Sequence, residues 1–290
     1  MPASPDRPLI IVSAGRSGST LLHRLLALHP QAMWLAGVSA RLPTWPRVGR
    51  LTVRLKADAP WLPPPVARRI NPGEVYAFWE RFAPGFARTT KDLTAADADI
   101  ATVARLRDAF GGLLGPPRDR LLLKITGWPR LGFLRRVFPD ARFVHLVRDG
   151  RAVAASLLTV GFWRGWQGPE AWRFGALSPA QAAVWQSHDR SPATLAALEW
   201  QIVLDAFDAA AMPSDAIHAL TYEALCADPI GAVGRIADFA DLPVTPGFTK
   251  AVAAVPIEPA NDKWRRQLTP EQQQQVEATL APTLARFGYR

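Results

Sequence analysis

The run Gly15-Arg16-Ser17-Gly18-Ser19-Thr20 packs small residues, hydroxyls and one fixed cation into six positions. Small side chains let the backbone approach phosphate oxygens, hydroxyls donate hydrogen bonds, and a guanidinium supplies permanent positive charge. The chemistry that fits is the holding of a phosphate-like anion. A nucleoside-triphosphatase loop is the obvious competitor. It needs Gly-Lys-Ser/Thr, with the lysine on the β- and γ-phosphates and the hydroxyl on magnesium. Here Ser19 follows Gly18 directly. No strand ending in acidic residues offers a second magnesium ligand. A phosphate cradle without that equipment points to a nucleotide whose transferred group is not phosphoryl.

Two further cations fall at comparable places. Arg148 closes the apolar run Ala141–Val147, and Ser156 lies eight residues on, in the first turns of the next helical stretch. Both are placed to converge on one phosphate. Read singly, Arg148 is a strand-end ion pair and Ser156 an ordinary small helix residue. Lys124 sits near the end of another apolar run, Arg120–Thr126.

The elements that must position these residues follow from hydrophobic period. Leu9–Val12, Arg120–Thr126, Ala141–Val147 and Ile217–Tyr222 are short apolar runs and read as buried parallel strands. Leucine spacing predicts a helix over Leu21–Leu28, stopped by His29-Pro30. Helices are also predicted over 74–83, 94–114, Arg130–Phe138, Gly150–Leu158, Ser191–Ala211, Asp228–Phe239 and Thr269–Phe287. Residues 41–72 and 161–190 read as irregular, with short helices possible in the first. Strands alternating with helices predict an α/β fold, a P-loop-like parallel β-sheet flanked by helices on both faces. In such sheets ligands bind at the C-terminal strand ends, where the Gly15–Thr20 loop meets a helix N-terminus.

Composition bounds the rest. The chain has 290 residues, 49% hydrophobic and 20% charged. That excludes global disorder and suits one large α/β domain or two small ones; the spread of the motifs along the chain favours a single domain over 1–290. The net charge of +9 is carried by 29 arginines and only five lysines, a bias suited to bidentate anion binding. Cys226 is the single cysteine, so neither an intrachain disulfide nor a Cys-rich zinc site is possible. No apolar run approaches a membrane span, and Leu9–Val12 is too short for a signal-peptide core. A cytoplasmic protein is expected. No Lys/Arg run interleaves with aromatics, which speaks against nucleic acid as a partner.

Taken together, the motifs resemble the sulfotransferases that use 3′-phosphoadenosine-5′-phosphosulfate (PAPS), above all the tyrosylprotein sulfotransferases and related bacterial enzymes. Gly15–Thr20 resembles the 5′-phosphosulfate loop, and Leu28-His29-Pro30 the close of its helix. Leu123-Lys124-Ile125-Thr126 is similar to the strand bearing a second active-site lysine. The run from Val147 to Ser156 resembles the 3′-phosphate motif, and Thr221-Tyr222-Glu223 with Asp228-Pro229 the Tyr-Glu strand near the nucleotide. Lys263-Trp264 and the tail from Leu268 to Tyr289 are similar to the family's C-terminal pattern. The resemblance implies that Arg16, Ser17, Gly18, Ser19 and Thr20 hold the 5′-phosphosulfate. It implies that Arg148 and Ser156 hold the 3′-phosphate, that Tyr222 lies by the nucleotide, and that Lys263 closes over it. Arg16 and Lys124 become the catalytic cations, PAPS the donor, and no metal is expected. The acceptor is a hydroxyl- or phenol-bearing small molecule, glycan or peptide, and a homodimer is possible. A P-loop kinase or NTPase and a non-catalytic nucleotide-binding protein are the alternatives.

One piece is missing from that pattern. The family often places a glutamate after the His-Pro, but Gln31–Ser39 contains no acid. Glu74, Asp92, His188 and Asp189 are the conceivable substitutes as general base. His23 and His145 read as structural. Trp163, Trp166, Trp172 and Trp185, with Trp34, Trp45, Trp61 and Trp79, fall in the segments around 159–192 and 34–92. Those segments are expected to cover the acceptor cleft or to fill the core beneath it. Trp200 reads as core.

Overall fold

The structure, a computed structural model, describes residues 5–58, 70–87 and 90–289. Its sheet has five parallel strands: β1 (Leu9–Ser13), β2 (Ala32–Met33), β3 (Arg120–Thr126), β4 (Arg142–Val147) and β5 (Ile217–Thr221). The spatial order is β2-β3-β1-β4-β5. All five residues of β1 are buried, because the strand is central and covered on both faces; that is why its sequence runs apolar without alternation. Ser13 stands opposite Thr126 on β3, and Val12 opposite His145 on β4. The chain leaves β1 for β2 and β3 on one side, then crosses to β4 on the other. The C-terminal end of β1 is therefore the switch point where such sheets bind ligands.

The helices are α1 (Ser19–Leu26), α2 (Gly37–Arg41), α3 (Pro46–Asp58), α4 (Tyr76–Phe82), α5 (Ile100–Gly111), α6 (Leu131–Val137), α7 (Gly150–Leu157), α8 (Pro179–Ser187), α9 (Pro192–Ala209), α10 (Tyr222–Ala227), α11 (Pro229–Phe239), α12 (Pro246–Ala253), α13 (Trp264–Gln267) and α14 (Pro270–Arg286). Leu22 and Leu25 of α1, Phe110 of α5, Phe133 of α6 and Ile236 of α11 join the strand side chains in one apolar cluster. Val153 of α7, Leu198 and Trp200 of α9, and Val276 and Leu280 of α14 form a second, against Val147 and Ala14. The α/β architecture expected from the sequence is the one found.

The differences are local. The segment read as irregular over 41–72 contains the thirteen-residue helix α3, tied down where Arg50 Nη1 donates to the Leu114 carbonyl at 2.9 Å. The segment 161–190 contains α8, with Ser178 and Gln181 in a capping box. None of the residues of α8 is buried, so it lacks the apolar stripe that betrays a helix. The stretch 94–114 is a 3₁₀ turn and then α5, because the Asp99 carboxylate accepts from Thr102 N–H at 2.6 Å and starts a new helix. Tyr222 begins α10 rather than ending β5, with Thr221 Oγ1 as the cap. Trp34, Trp79, Trp163 and Trp172 are buried, while Trp45 and Trp166 are exposed; Trp61 lies outside the described residues. Among the described residues, no helix is long and apolar enough to cross a membrane.

His23, read as structural from the sequence, is fully buried, and burial pushes its imidazole down to about 3. His145 stacks on Phe207 with ring centroids 3.5 Å apart and is pushed down to about 4 by burial. Both are neutral core residues at neutral pH.

Candidate active site

The loop after β1 turns into α1 through two residues in the left-handed region, Arg16 (φ 66°) and Gly18 (φ 87°). Gly18 is required twice. Its conformation disfavours a side chain, and a Cβ there would lie 2.3 Å from Tyr222 Cδ2. The Tyr222 ring thus rests directly on the loop. No side chain caps the N-terminus of α1, and its first turn holds no acid. The free N–H groups and positive dipole end are therefore open to an anion.

Two neighbouring strands bring cations to this loop, which carries a third of its own. From β4, the Arg148 guanidinium donates to Asn261 Oδ1 (3.0 Å), the Arg16 carbonyl (3.0 Å) and the Ala260 carbonyl (2.8 Å). Its carbon stands 4.5 Å from the Tyr222 ring centre. A guanidinium carries five N–H donors, so part of its capacity remains for a ligand. Burial lowers the Arg148 pKa, opposed by Tyr222 and Glu223. From the loop itself, Arg16 Nε donates to Ser156 Oγ at 2.9 Å. From β3, Lys124 Nζ lies 3.0 Å from Thr20 Oγ1 and 2.9 Å from Glu74 Oε1. An ammonium has three donors, and these contacts leave one.

Glu74 reaches the site from outside the sheet. Its Oε1 also accepts from Thr126 Oγ1 at 3.0 Å, and Tyr76 next door donates to the Thr126 carbonyl at 2.8 Å. Gly73 N–H donates to the Leu35 carbonyl at 2.9 Å. The acid therefore docks against the same stretch after His29-Pro30 that lacks one of its own. Glu74 Oε2 makes no hydrogen bond among the described residues.

These groups line a cleft of about 800 Å³. Of the residues singled out in the sequence, Arg16, Gly18, Ser19, Thr20, Lys124, Arg148 and Tyr222 stand on its wall. Ser156 stands behind Arg16 rather than on the wall. The Ser17 hydroxyl is sealed off and unpartnered among the described residues, so only its backbone can face a ligand. Lys263 is exposed and off the wall, in the turn whose Asn261 and neighbouring Ala260 hold Arg148. Of the four candidate bases only Glu74 lines the cleft. The Asp92 carboxylate, pushed up to about 6 by burial, accepts from Arg130 N–H at 2.7 Å. His188 is 3.0 Å from Thr194 Oγ1, and Asp189 occupies a left-handed turn.

Other site residues carry no signal in isolation. Glu223 accepts from Asp149 N–H (3.2 Å), from Tyr289 Oη (2.9 Å) and from Asn261 Nδ2, so the tail, α10 and the Asn261 turn jointly brace Arg148. Burial beside Glu223 pushes the Tyr289 hydroxyl far up. The Tyr-Glu and Gly-Tyr motifs held the clue to that brace. Arg130 is buried in the cleft, donating to the Trp128 and Phe86 carbonyls.

Glu199, on α9, is 8% exposed on the cleft wall and accepts from Trp163 Nε1 at 2.8 Å. Burial pushes its carboxyl from 4.5 up to about 7, against the Trp163 hydrogen bond. A raised acid favours the native state while protonated, and that stability is lost as pH rises through about 7. The loss is about 3 kcal/mol. Glu199→Gln keeps an acceptor for Trp163 without the charge. Its Tm relative to wild type is therefore expected to rise between pH 5 and pH 8, read by calorimetry; parallel pH profiles would contradict this.

A strand–loop–helix anion cradle, flanked by Arg16, Lys124 and Arg148 and facing a carboxylate, defines a class: an α/β enzyme that moves an anionic group from a nucleotide-like donor. The comparisons with known proteins specify that class. A sequence profile described as "Sulfotransferase family" matches residues 8–246, so the chain belongs to the sulfotransferase family and is an enzyme of that kind. Among solved structures, the sulfotransferase STF9 from Mycobacterium avium is similar at 17% identity and a TM-score of 0.61, covering 99% of this chain and 78% of that one. STF1 from Mycobacterium tuberculosis H37Rv is similar at 17% identity and a TM-score of 0.53, covering 97% and 78%. At this identity they share the fold. Comparison with curated proteins returns no match.

Proposed function

We propose that this sulfotransferase moves the sulfuryl group of PAPS to a hydroxyl or phenol acceptor, with Glu74 as the general base. The observation that carries the reading is the convergence of Arg16, Lys124 and Arg148 on one cleft, with Glu74 bonded to Lys124 on the same wall. The residues fit such a donor. The loop and α1 offer backbone N–H groups and a positive end, Gly18 leaves room for Tyr222, and Arg148 retains free donors. When bound, PAPS supplies a sulfuryl group on a phosphate leaving group.

The chain's own residues do the rest. Arg16, Lys124 and the loop N–H groups stabilise the negative charge that moves onto the bridging oxygen as the sulfur–oxygen bond breaks. That is preorganised electrostatic stabilisation. The free Oε2 of Glu74 takes the proton of the attacking hydroxyl, while Oε1 stays fixed by Lys124 and Thr126. Arg148 holds the 3′-phosphate, and Ser156 fixes the Arg16 side chain from behind. The loop lacks the lysine a phosphoryl-transfer site requires, which supports sulfuryl transfer over a kinase or NTPase.

The test is thermal stabilisation by 3′-phosphoadenosine-5′-phosphate (PAP), compared with ADP and magnesium–ATP. PAP at a hundredfold excess over its Kd stabilises by about 2.7 kcal/mol, and ADP is expected to do far less. Stabilisation by magnesium–ATP with none by PAP would overturn the reading.

A further inference from the structure

Beyond the donor site, the cleft contains a carboxylate that the transfer chemistry does not use. Glu199 projects from α9 onto the cleft wall with 8% of its surface exposed. Its Oε2 accepts from Trp163 Nε1 at 2.8 Å, and Oε1 has no partner among the described residues. A buried carboxylate normally has several donors or a cation beside it, so a half-satisfied one facing a ligand space is an opening for a ligand.

The surroundings say which ligand. Trp163, Trp172, Trp128 and Phe174 line the same cleft. The polar edge of each indole is already spent: Trp163 on Glu199, Trp172 on the Gly175 carbonyl (2.6 Å) and Trp128 on the Arg173 carbonyl (2.9 Å). Phe174 packs against both Trp172 and Trp128, with centroids 5.6 and 5.3 Å away. The rings therefore line the cleft with apolar surface and no further donor, Trp163 and Trp172 buried beside Glu199 and Trp128 and Phe174 half-buried. Aromatic faces with a carboxylate are the combination that recognises an organic ammonium. Of the cations on the cleft wall, Arg16, Lys124 and Arg148 are bonded around the Gly15–Thr20 loop, buried Arg130 donates to the Trp128 and Phe86 carbonyls, and Arg164 and Arg173 are exposed. At the rim their charge is screened by water and salt, whereas that of buried Glu199 is not.

We infer that Glu199, with the aromatic wall of Trp163 and Trp172, is an acceptor subsite for an ammonium group, so that the acceptor is an amino-bearing hydroxyl compound. The inference rests on the proposed sulfuryl transfer only for the word acceptor; the subsite itself is a statement about binding. An ammonium there satisfies Oε1 and relieves the cost of burying the carboxylate.

The experiment titrates the PAP-loaded protein with benzylammonium, benzyl alcohol and benzoate by ligand-observed NMR at pH 8. These probes share a ring and differ in charge. Benzylammonium is expected to bind at least tenfold more tightly than benzyl alcohol, and Glu199→Gln is expected to bring the two within about twofold. PAP stabilisation of the variant verifies that it is folded. Equal binding of the amine and the alcohol, preference for benzoate, no saturable benzylammonium binding, or a preference that survives Glu199→Gln would each overturn the subsite. Failure of PAP to stabilise the wild type instead overturns the donor reading, and the titration is then run on the ligand-free protein with the same criteria.

Discussion

Glu74→Gln is expected to lower the rate of sulfuryl transfer by about 10²–10⁴-fold, the range ascribed to a positioned general base, while stabilisation by PAP persists. Glu74 Oε1 is held by Lys124 Nζ at 2.9 Å and Thr126 Oγ1 at 3.0 Å. The substitution therefore preserves shape but removes both the basic oxygen and the charge opposite Lys124. Losing a buried partner is costly for the one left behind; here an anionic donor substitutes for it, so PAP affinity is expected to hold or to rise. The measurement is transfer of labelled sulfuryl from PAPS to any acceptor that a mass-spectrometric screen identifies, alongside PAP binding. Transfer within threefold of wild type would remove Glu74 as the base. Loss of PAP binding would reassign it to holding the donor site.

Arg148→Ala is expected to weaken PAP binding roughly 100-fold, from the loss of about 3 kcal/mol of charge-assisted hydrogen bonding. The effect on ADP, which lacks the 3′-phosphate, is expected to be much smaller, so the preference for PAP over ADP collapses. Arg148 spans Asn261, Ala260 and the Arg16 carbonyl at once. Arg148→Lys restores charge but not this planar fork, and recovers only part of the affinity. Calorimetric titration of both nucleotides decides it. Unchanged PAP affinity, or an equal loss for PAP and ADP, contradicts a 3′-phosphate role. The Glu223–Asn261–Tyr289 brace gives a folding check, since a variant that retains its unliganded Tm has not lost the tail.

Much of this site is visible in the chain itself. The Gly15–Thr20 loop announces itself because a tight strand–helix turn, with φ 87° and the Tyr222 ring pressed on it, demands glycine at position 18. Arg148 is legible because it directly follows the apolar strand β4, and Ser156, eight residues on, falls in the helix that begins at Gly150. β1 is legible because a strand covered on both faces is continuously apolar, and β4 because its apolar run is interrupted only by His145. Glu74 was one of four unranked acids and imidazoles. Nothing in its neighbours marks it until the Gly73–Leu35 bond and the Lys124 pair place it. Helix α8, with none of its residues buried, gave no period to read.

What the sequence determined alone is therefore the fold class, together with the position of the Gly15–Thr20 loop and of the cations on β3 and just after β4. These follow from backbone geometry acting over a few residues, which constrains composition locally. What only the tertiary structure decided is which distant side chains meet: Glu74 beside Lys124, Glu199 beneath Trp163, and Glu223 joining Asn261 to Tyr289. Each of these contacts joins residues 36 to 66 positions apart. A side chain met across such a distance imposes nothing on its own neighbours, so it leaves no local pattern in the chain.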